Sequence, residues 1–115
     1  MATSTITTSY KEGTFTSVNN TNVSSISGNV RQYGKMAVLQ VNLRLTAGFF
    51  DDWGHVANIS PVPKSNVRIM TLPDTGNVAS LNILRVQIDQ GTGKLNVFYG
   101  SANCSYPFEI VYEVK

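Results

Sequence analysis

Hydrophobic and polar positions alternate through the second half of residues 25–45 (SISGNVRQYGKMAVLQVNLRL). Ala37, Leu39, Val41, Leu43 and Leu45 fall on one face, and Gln40, Asn42 and Arg44, after Met36 and Val38, fall on the other. A period of two with Val and Leu on one side is the signal of a half-buried strand, whereas a helix would space its apolar residues three and four apart. Gln32-Tyr33-Gly34-Lys35 supplies a turn, with Gly34 free to take a positive φ. The stretch therefore predicts a long β-ribbon against which the rest of the chain must pack. The same alternation recurs at Val67, Ile69 and Thr71, at Leu84, Val86 and Ile88, at Leu95, Val97 and Tyr99, and at Phe108, Ile110, Tyr112 and Val114. Gln90-Gly91-Thr92-Gly93 reads as a hairpin turn, and Thr75-Gly76-Asn77 reads as a turn. Residues 55–59 predict a short strand that Pro61 and Pro63 break, since proline cannot donate to a ladder. Residues 46–54 (TAGFFDDWG) do not alternate and read as an irregular loop. Residues 5–10 and 13–18 read as short edge strands with little core of their own, and 19–22 as a loop.

No segment shows helical periodicity. Seven to nine strands with turns every ten or so residues predict an all-β, antiparallel β-sandwich or jelly-roll-like single domain. Residues 1–24 form its N-terminal Ser/Thr-rich edge segment and residues 25–115 the sandwich head. The long connections favour a Greek-key or jelly-roll arrangement, and the Cys-Trp-Cys pattern of immunoglobulin domains is absent. The expected core is Leu39, Val41, Leu43, Val86, Ile88, Leu95, Val97, Phe108, Ile110 and Tyr112. Four apolar residues, Met36, Val38, Phe98 and Val111, lie on the wrong face of their strands. They predict a second buried surface such as a subunit contact, unless they are ordinary scattered surface apolars.

Composition narrows the function. Only 14% of the 115 residues are charged, against about 25% on average, so Ser, Thr and Asn must build the polar surface. The net charge is +2 and no two of the nine basic residues are adjacent. No phosphate-tracking stripe exists, and nucleic acid is not an expected partner. No apolar run approaches a membrane span, so membrane insertion is not expected, and the N-terminus lacks the pattern of a signal peptide. The single cysteine, Cys104, cannot form an internal disulfide, and its neighbours suggest a turn.

Catalysis and cofactors are not expected either. His55 has no nucleophile elbow beside it and reads as a structural or surface histidine. One His and one Cys cannot make a zinc site, and Asp51-Asp52 lacks the regular acidic spacing of a calcium loop, so no metal is expected. Asp89 and Glu109 lie on strands and could face each other as a glycosidase pair, although any seven acids produce such pairs by chance. Gly91-Thr92-Gly93 joins two strands and is no phosphate loop.

The positive feature is aromatic. Phe49, Phe50 and Trp53 sit with Asp51, Asp52 and His55 within seven residues. Sugars stack their C–H faces on aromatic rings and give their hydroxyls to planar polar groups, and this stretch holds both kinds. Phe50, Asp51, Asp52, Trp53 and His55 are therefore candidate ligand-binding residues. Tyr99, Asn103 and Tyr106 around the last turn form a second candidate cluster. The alternative is that Phe49 or Phe50 plugs the end of the sandwich and Trp53 caps its core.

Residues 25–115 also resemble the C-terminal modules of phage tail and baseplate proteins. The resemblance lies in G-x-V at residues 28–30, followed by G-x-x-x-V-x-x-V-x-L at 34–43. A Trp-containing loop follows, then ISPVP at 59–63, a GTG hairpin and a final YPFEIVYEVK strand. These motifs are hairpin grammar rather than catalytic signatures. Modules of this kind are trimeric β-sandwich heads on the virion that bind host-surface saccharides without transforming them. The resemblance thus implies a homotrimer, a bacterial surface glycan as ligand, and other virion proteins reached through an upstream stalk. This chain lacks that stalk, as an excised domain would. Two other classes stay open: a monomeric carbohydrate-binding module of a secreted bacterial enzyme, and a structural virion domain with no ligand.

Overall fold

The ribbon forms where the alternation places it. In the computed structural model, which describes residues 9–74 and 83–115, β3 (Val23–Tyr33) and β4 (Met36–Leu45) pair antiparallel from Tyr33↔Met36 back to Val23↔Leu45. Gly34 opens the two-residue turn between them at φ 62°, a conformation that costs glycine no steric penalty. Around this hairpin are β1 (Lys11–Glu12), β2 (Thr14–Ser17), β5 (Phe49–Ser60), β6 (Val67–Thr71), β7 (Leu84–Ile88), β8 (Lys94–Tyr99) and β9 (Ser105–Glu113).

The strands form two antiparallel sheets, one in the order β1-β3-β4-β9 and the other in the order β2-β5-β8-β7-β6. The inner faces of the two sheets enclose one apolar core, so the fold is a β-sandwich. All ten expected core residues are buried. Within the second sheet, the β6–β7–β8 meander that follows β5 brings β8 back beside it, which is a Greek-key order. β1 and β2 supply one edge to each sheet, and Phe15 of β2 packs against the core. Within the expected edge segment, Lys11–Glu12 pairs with β3 and Thr14–Ser17 with β5.

At the other edge of the first sheet, β9 is closed at both ends. Asp74 N donates to Ser105 O at 3.0 Å and Lys64 N donates to Glu113 O at 2.8 Å. Odd-numbered residues of β9 thus aim their backbone groups away from β4. Pro107 has that parity, so it removes a donor from the free edge and costs the ladder nothing.

Three expectations need correction. Residues 49–54 are the first half of a twelve-residue strand, β5, and not a loop. Tyr99 does not share the inward face of Leu95 and Val97: it is exposed. Residues 9 and 10 precede β1 and lie outside any strand. The turn expected at 75–77, and residues 1–8, lie outside the described residues.

Candidate functional site

The stretch FFDDWG interrupts the β5–β8 ladder. Phe49 pairs with Tyr99, and the next rung is Gly54 with Val97. Four residues of β5, Phe50 to Trp53, therefore stand opposite Phe98 alone. Such an insertion must leave the plane of the sheet, and all four residues are exposed. The bulge is held at both ends. Phe49 turns its ring into the core, at 7% exposure. Gly54 closes the bulge directly over that ring, where any Cβ would collide with it. Within the bulge, Trp53 N donates to Asp52 Oδ1 at 2.8 Å.

Opposite the bulge, Tyr99 takes φ 65°, a left-handed conformation unusual for a bulky residue. Its partners across the ladder, Phe49 and Leu84, point inward. Tyr99 instead swings out beside Phe98. The rings of Phe98 and Tyr99 lie 4.2 Å apart, and those of Trp53 and Phe98 lie 5.2 Å apart. Trp53 is 38% exposed and Tyr99 41%. The result is a tilted ladder of three rings on the outer face of the second sheet, with Phe50 (61% exposed) and Met70 (67%) nearby. Trp53 therefore does not cap the core, whereas Phe49 does plug it.

The next row of the same face is polar. The register aligns Arg68, Gln87, Asn96 and His55 across β6, β7, β8 and β5. Gln87 Nε2 donates to Asp89 Oδ1 at 2.7 Å, and Asn96 Nδ2 donates to Asp89 Oδ2 at 3.5 Å. His55 Nε2 lies 2.9 Å from Asn58 Oδ1, and its carbonyl accepts from Asn20 Nδ2 at 3.2 Å. Amide, carboxylate and imidazole planes are thus fixed by one another one row from the rings. Asp51 and Asp52 border an open groove of about 560 Å³ between the bulge and the Asn-rich turn at Asn19, Asn20 and Asn22.

Of the eight candidate residues, the structure gathers Phe50, Asp51, Asp52, Trp53, His55 and Tyr99 at one end of this face. It separates the other two. Asn103 sits on an exposed turn at φ 62°, its N–H donating to Leu45 O at 2.8 Å, and borders neither hollow beside the rings. Tyr106 is wholly buried, so it cannot touch a ligand. Its phenol oxygen accepts from Ser101 N at 3.0 Å, and burial pushes its pKa up. It is a core residue that supports the turn after β8.

Phe98, Arg85, Gln87 and Asn96 belong to the face but were missed as candidates. Phe98 carries a signal in the sequence, as the apolar residue on the polar side of β8, and the same signal reads there as a subunit contact. The structure also divides the expected subunit surface. Met36, Val38 and Val111 share the outer face of the first sheet, with Val38 opposite Val111, while Phe98 belongs to the second sheet.

The conceivable glycosidase pair does not form. Glu109 lies on the exposed side of the first sheet and accepts from Gln40 Nε2 at 2.9 Å, whereas Asp89 follows β7 in the second sheet. Among the described residues, no group of three or more His, Cys, Asp or Glu is placed to hold a metal. No family model matches the chain, and no match was found among curated proteins.

Proposed function

We propose that this domain binds a saccharide without transforming it, through the ring ladder of Trp53, Phe98 and Tyr99. One observation carries the reading: three half-exposed rings in mutual contact stand one row from hydrogen-bonded planar polar side chains. A pyranose laid on Trp53 and Phe98 would bury its C–H face on the rings. Its hydroxyls would reach His55, Asn96 and Gln87, whose orientations are already set, so little ordering cost remains. A few rings and hydrogen bonds still make each site weak, and many copies on one particle would turn weak sites into firm attachment.

The setting we propose follows from the resemblance of residues 25–115 to phage tail and baseplate heads. In that setting the ligand is a bacterial surface glycan, and the domain rides on a virion as part of a homotrimer anchored by upstream segments. The subunit contact would use Met36, Val38 and Val111 of the first sheet, which leaves the ring ladder outward. Light scattering tests the oligomer, and a monomer at micromolar concentration favours the module of a secreted enzyme.

Binding to purified wall polysaccharide, with Trp53→Ala and Phe98→Ala beside the parent, tests the site. Each variant should lose about 1–3 kcal/mol of binding while keeping the fold. Undiminished binding by both would remove the ladder from the site. The exposure of Phe50 and Met70 favours a second reading, in which another subunit covers this face. That reading predicts that Trp53→Ala dissociates the oligomer.

A further inference from the structure

We infer that the saccharide carries an oxyanion, and that Arg85 receives it; the inference rests on the proposed saccharide site. Arg85 lies on β7 between Met70 and Phe98 across the sheet. Its guanidinium carbon stands 5.3 Å from the centroid of the Tyr99 ring. Beside the ladder is a hollow of about 280 Å³, walled by Phe50, Met70, Ile83, Tyr99 and Ser101 together with Arg85. Among the described residues, Arg85 brings the only charge to those walls.

No carboxylate of the described residues pairs with Arg85; the ion pair found among them is Lys64 with Glu113, at 3.4 Å. Asp51 and Asp52 border the other groove, beyond Phe50, and do not line this hollow. The outward positions of β6, β7 and β8 add Arg68 and Lys94, against Asp89 alone after β7. Asp51 and Asp52 on β5 balance these charges over the face as a whole, so what an anion meets at the hollow is the guanidinium in its own wall.

A guanidinium resting on a ring keeps its planar fork of donors free at the edge. That fork matches a carboxylate or phosphate in two parallel hydrogen bonds, and a lysine ammonium cannot reproduce it. Apolar walls exclude water from one side and strengthen such a contact. A sugar stacked on Trp53 and Phe98 would thus place an acidic substituent at Arg85 along the same row. A uronate carboxylate and a phosphodiester share this chemistry.

Three polymers separate the possibilities: polygalacturonate, poly(glycerol phosphate) and neutral dextran. Each is run in affinity gels at about 50 mM and about 300 mM NaCl, a range over which screening weakens exposed ionic contacts. The expected result is retardation by one or both acidic polymers, weaker at the higher salt. Arg85→Gln should weaken it about tenfold or more, Arg85→Lys less, and Arg68→Gln little. Thermal melting should show all three variants folded, since Arg85 and Arg68 are exposed. Which acidic polymer binds names the oxyanion. If dextran binds as well as the acidic polymers, and Trp53→Ala abolishes binding while Arg85→Gln does not, the saccharide site stands and the oxyanion is wrong. If Arg68→Gln equals Arg85→Gln, the attraction is diffuse and the hollow is not the receptor. If no polymer and no wall polysaccharide binds, the saccharide reading falls and this inference falls with it.

Discussion

Tyr99 allows the backbone and the ring to be tested separately. Two replacements remove the same ring, Tyr99→Ala and Tyr99→Gly. Each loses the stacking on Phe98 at 4.2 Å and the contact with Arg85 at 5.3 Å, together about 1–2.5 kcal/mol. They differ in the main chain. Alanine must still hold φ 65°, which costs an L-residue about 1–2 kcal/mol, and glycine holds it freely. Glycine's extra freedom in the unfolded chain returns about 0.5–1 kcal/mol of that gain. Tyr99→Gly should therefore be more stable than Tyr99→Ala by about 0.5–1 kcal/mol, or a few degrees in Tm. Urea unfolding with an unchanged m-value is the measurement. In the proposed site both variants should lose glycan binding alike, because the proposed stacking uses the ring and not the backbone. An alanine variant as stable as the glycine variant, or more so, would refute the left-handed backbone. The outward swing of the ring would be refuted with it.

Three further outcomes follow from the same geometry. Val41→Asp places an unpaired carboxylate at a position 2% exposed in the middle of β4, and should cost several kcal/mol and abolish cooperative folding; a soluble, cooperatively melting variant would overturn the core. Gly54→Ala drives a Cβ into the Phe49 ring and should destabilise by about 1–3 kcal/mol while weakening glycan binding through the bulge; unchanged urea midpoint and affinity would show that Gly54 does not set the bulge. Tyr112 donates to Pro61 O at 2.7 Å and its burial pushes its pKa up from 10.0 to about 12. A phenol raised in the folded state contributes stability in full below pH 10 and loses it as pH rises through 12, by up to about 2–3 kcal/mol. Urea midpoints across that range should fall, and Tyr112→Phe should fall less steeply.

The sheets were legible because each regular strand puts one face in the core, so the alternation along β4, β7 and β9 is itself a map of burial. Tyr106 is legible as core by the same rule. It shares the parity of Phe108, Ile110 and Tyr112, and following the alternation one step back from Phe108 reaches it. FFDDWG could not be read this way. Alternation presumes an unbroken pleat, and a strand that sets four residues against its partner's one has no period. Its chemistry reads as loop, although its backbone belongs to β5. Tyr99 failed for the opposite reason. Its parity is regular, and only a positive φ turns it out, which no spacing of apolar residues reveals. The polar row joins His55 of β5 to Gln87 and Asn96 of the later β7–β8 hairpin, so only the register brings it together.

The two irregularities that assemble the candidate site meet at a single rung, Phe49 opposite Tyr99. An unbroken ladder would bury Tyr99 between Phe49 and Leu84 and leave Phe98 as the lone outward ring. Instead β5 leaves the sheet immediately after Phe49, and β8 turns left-handed at Tyr99 and again at Gly100, φ 72°, before crossing to the first sheet. Phe50, Trp53, Phe98 and Tyr99 consequently emerge on one side. For stability alone this is a poor arrangement. It places a tyrosine where glycine or asparagine fits better and leaves Phe50 and Met70 more than half exposed. The strained backbone at Tyr99 and the exposed apolar side chains beside it are what the proposed contact with a ligand would explain. The hydrogen-bonded amides one row away, and an Arg85 guanidinium that no carboxylate of the described residues pairs, accord with the proposed hydroxyl-rich, anionic ligand rather than an apolar one.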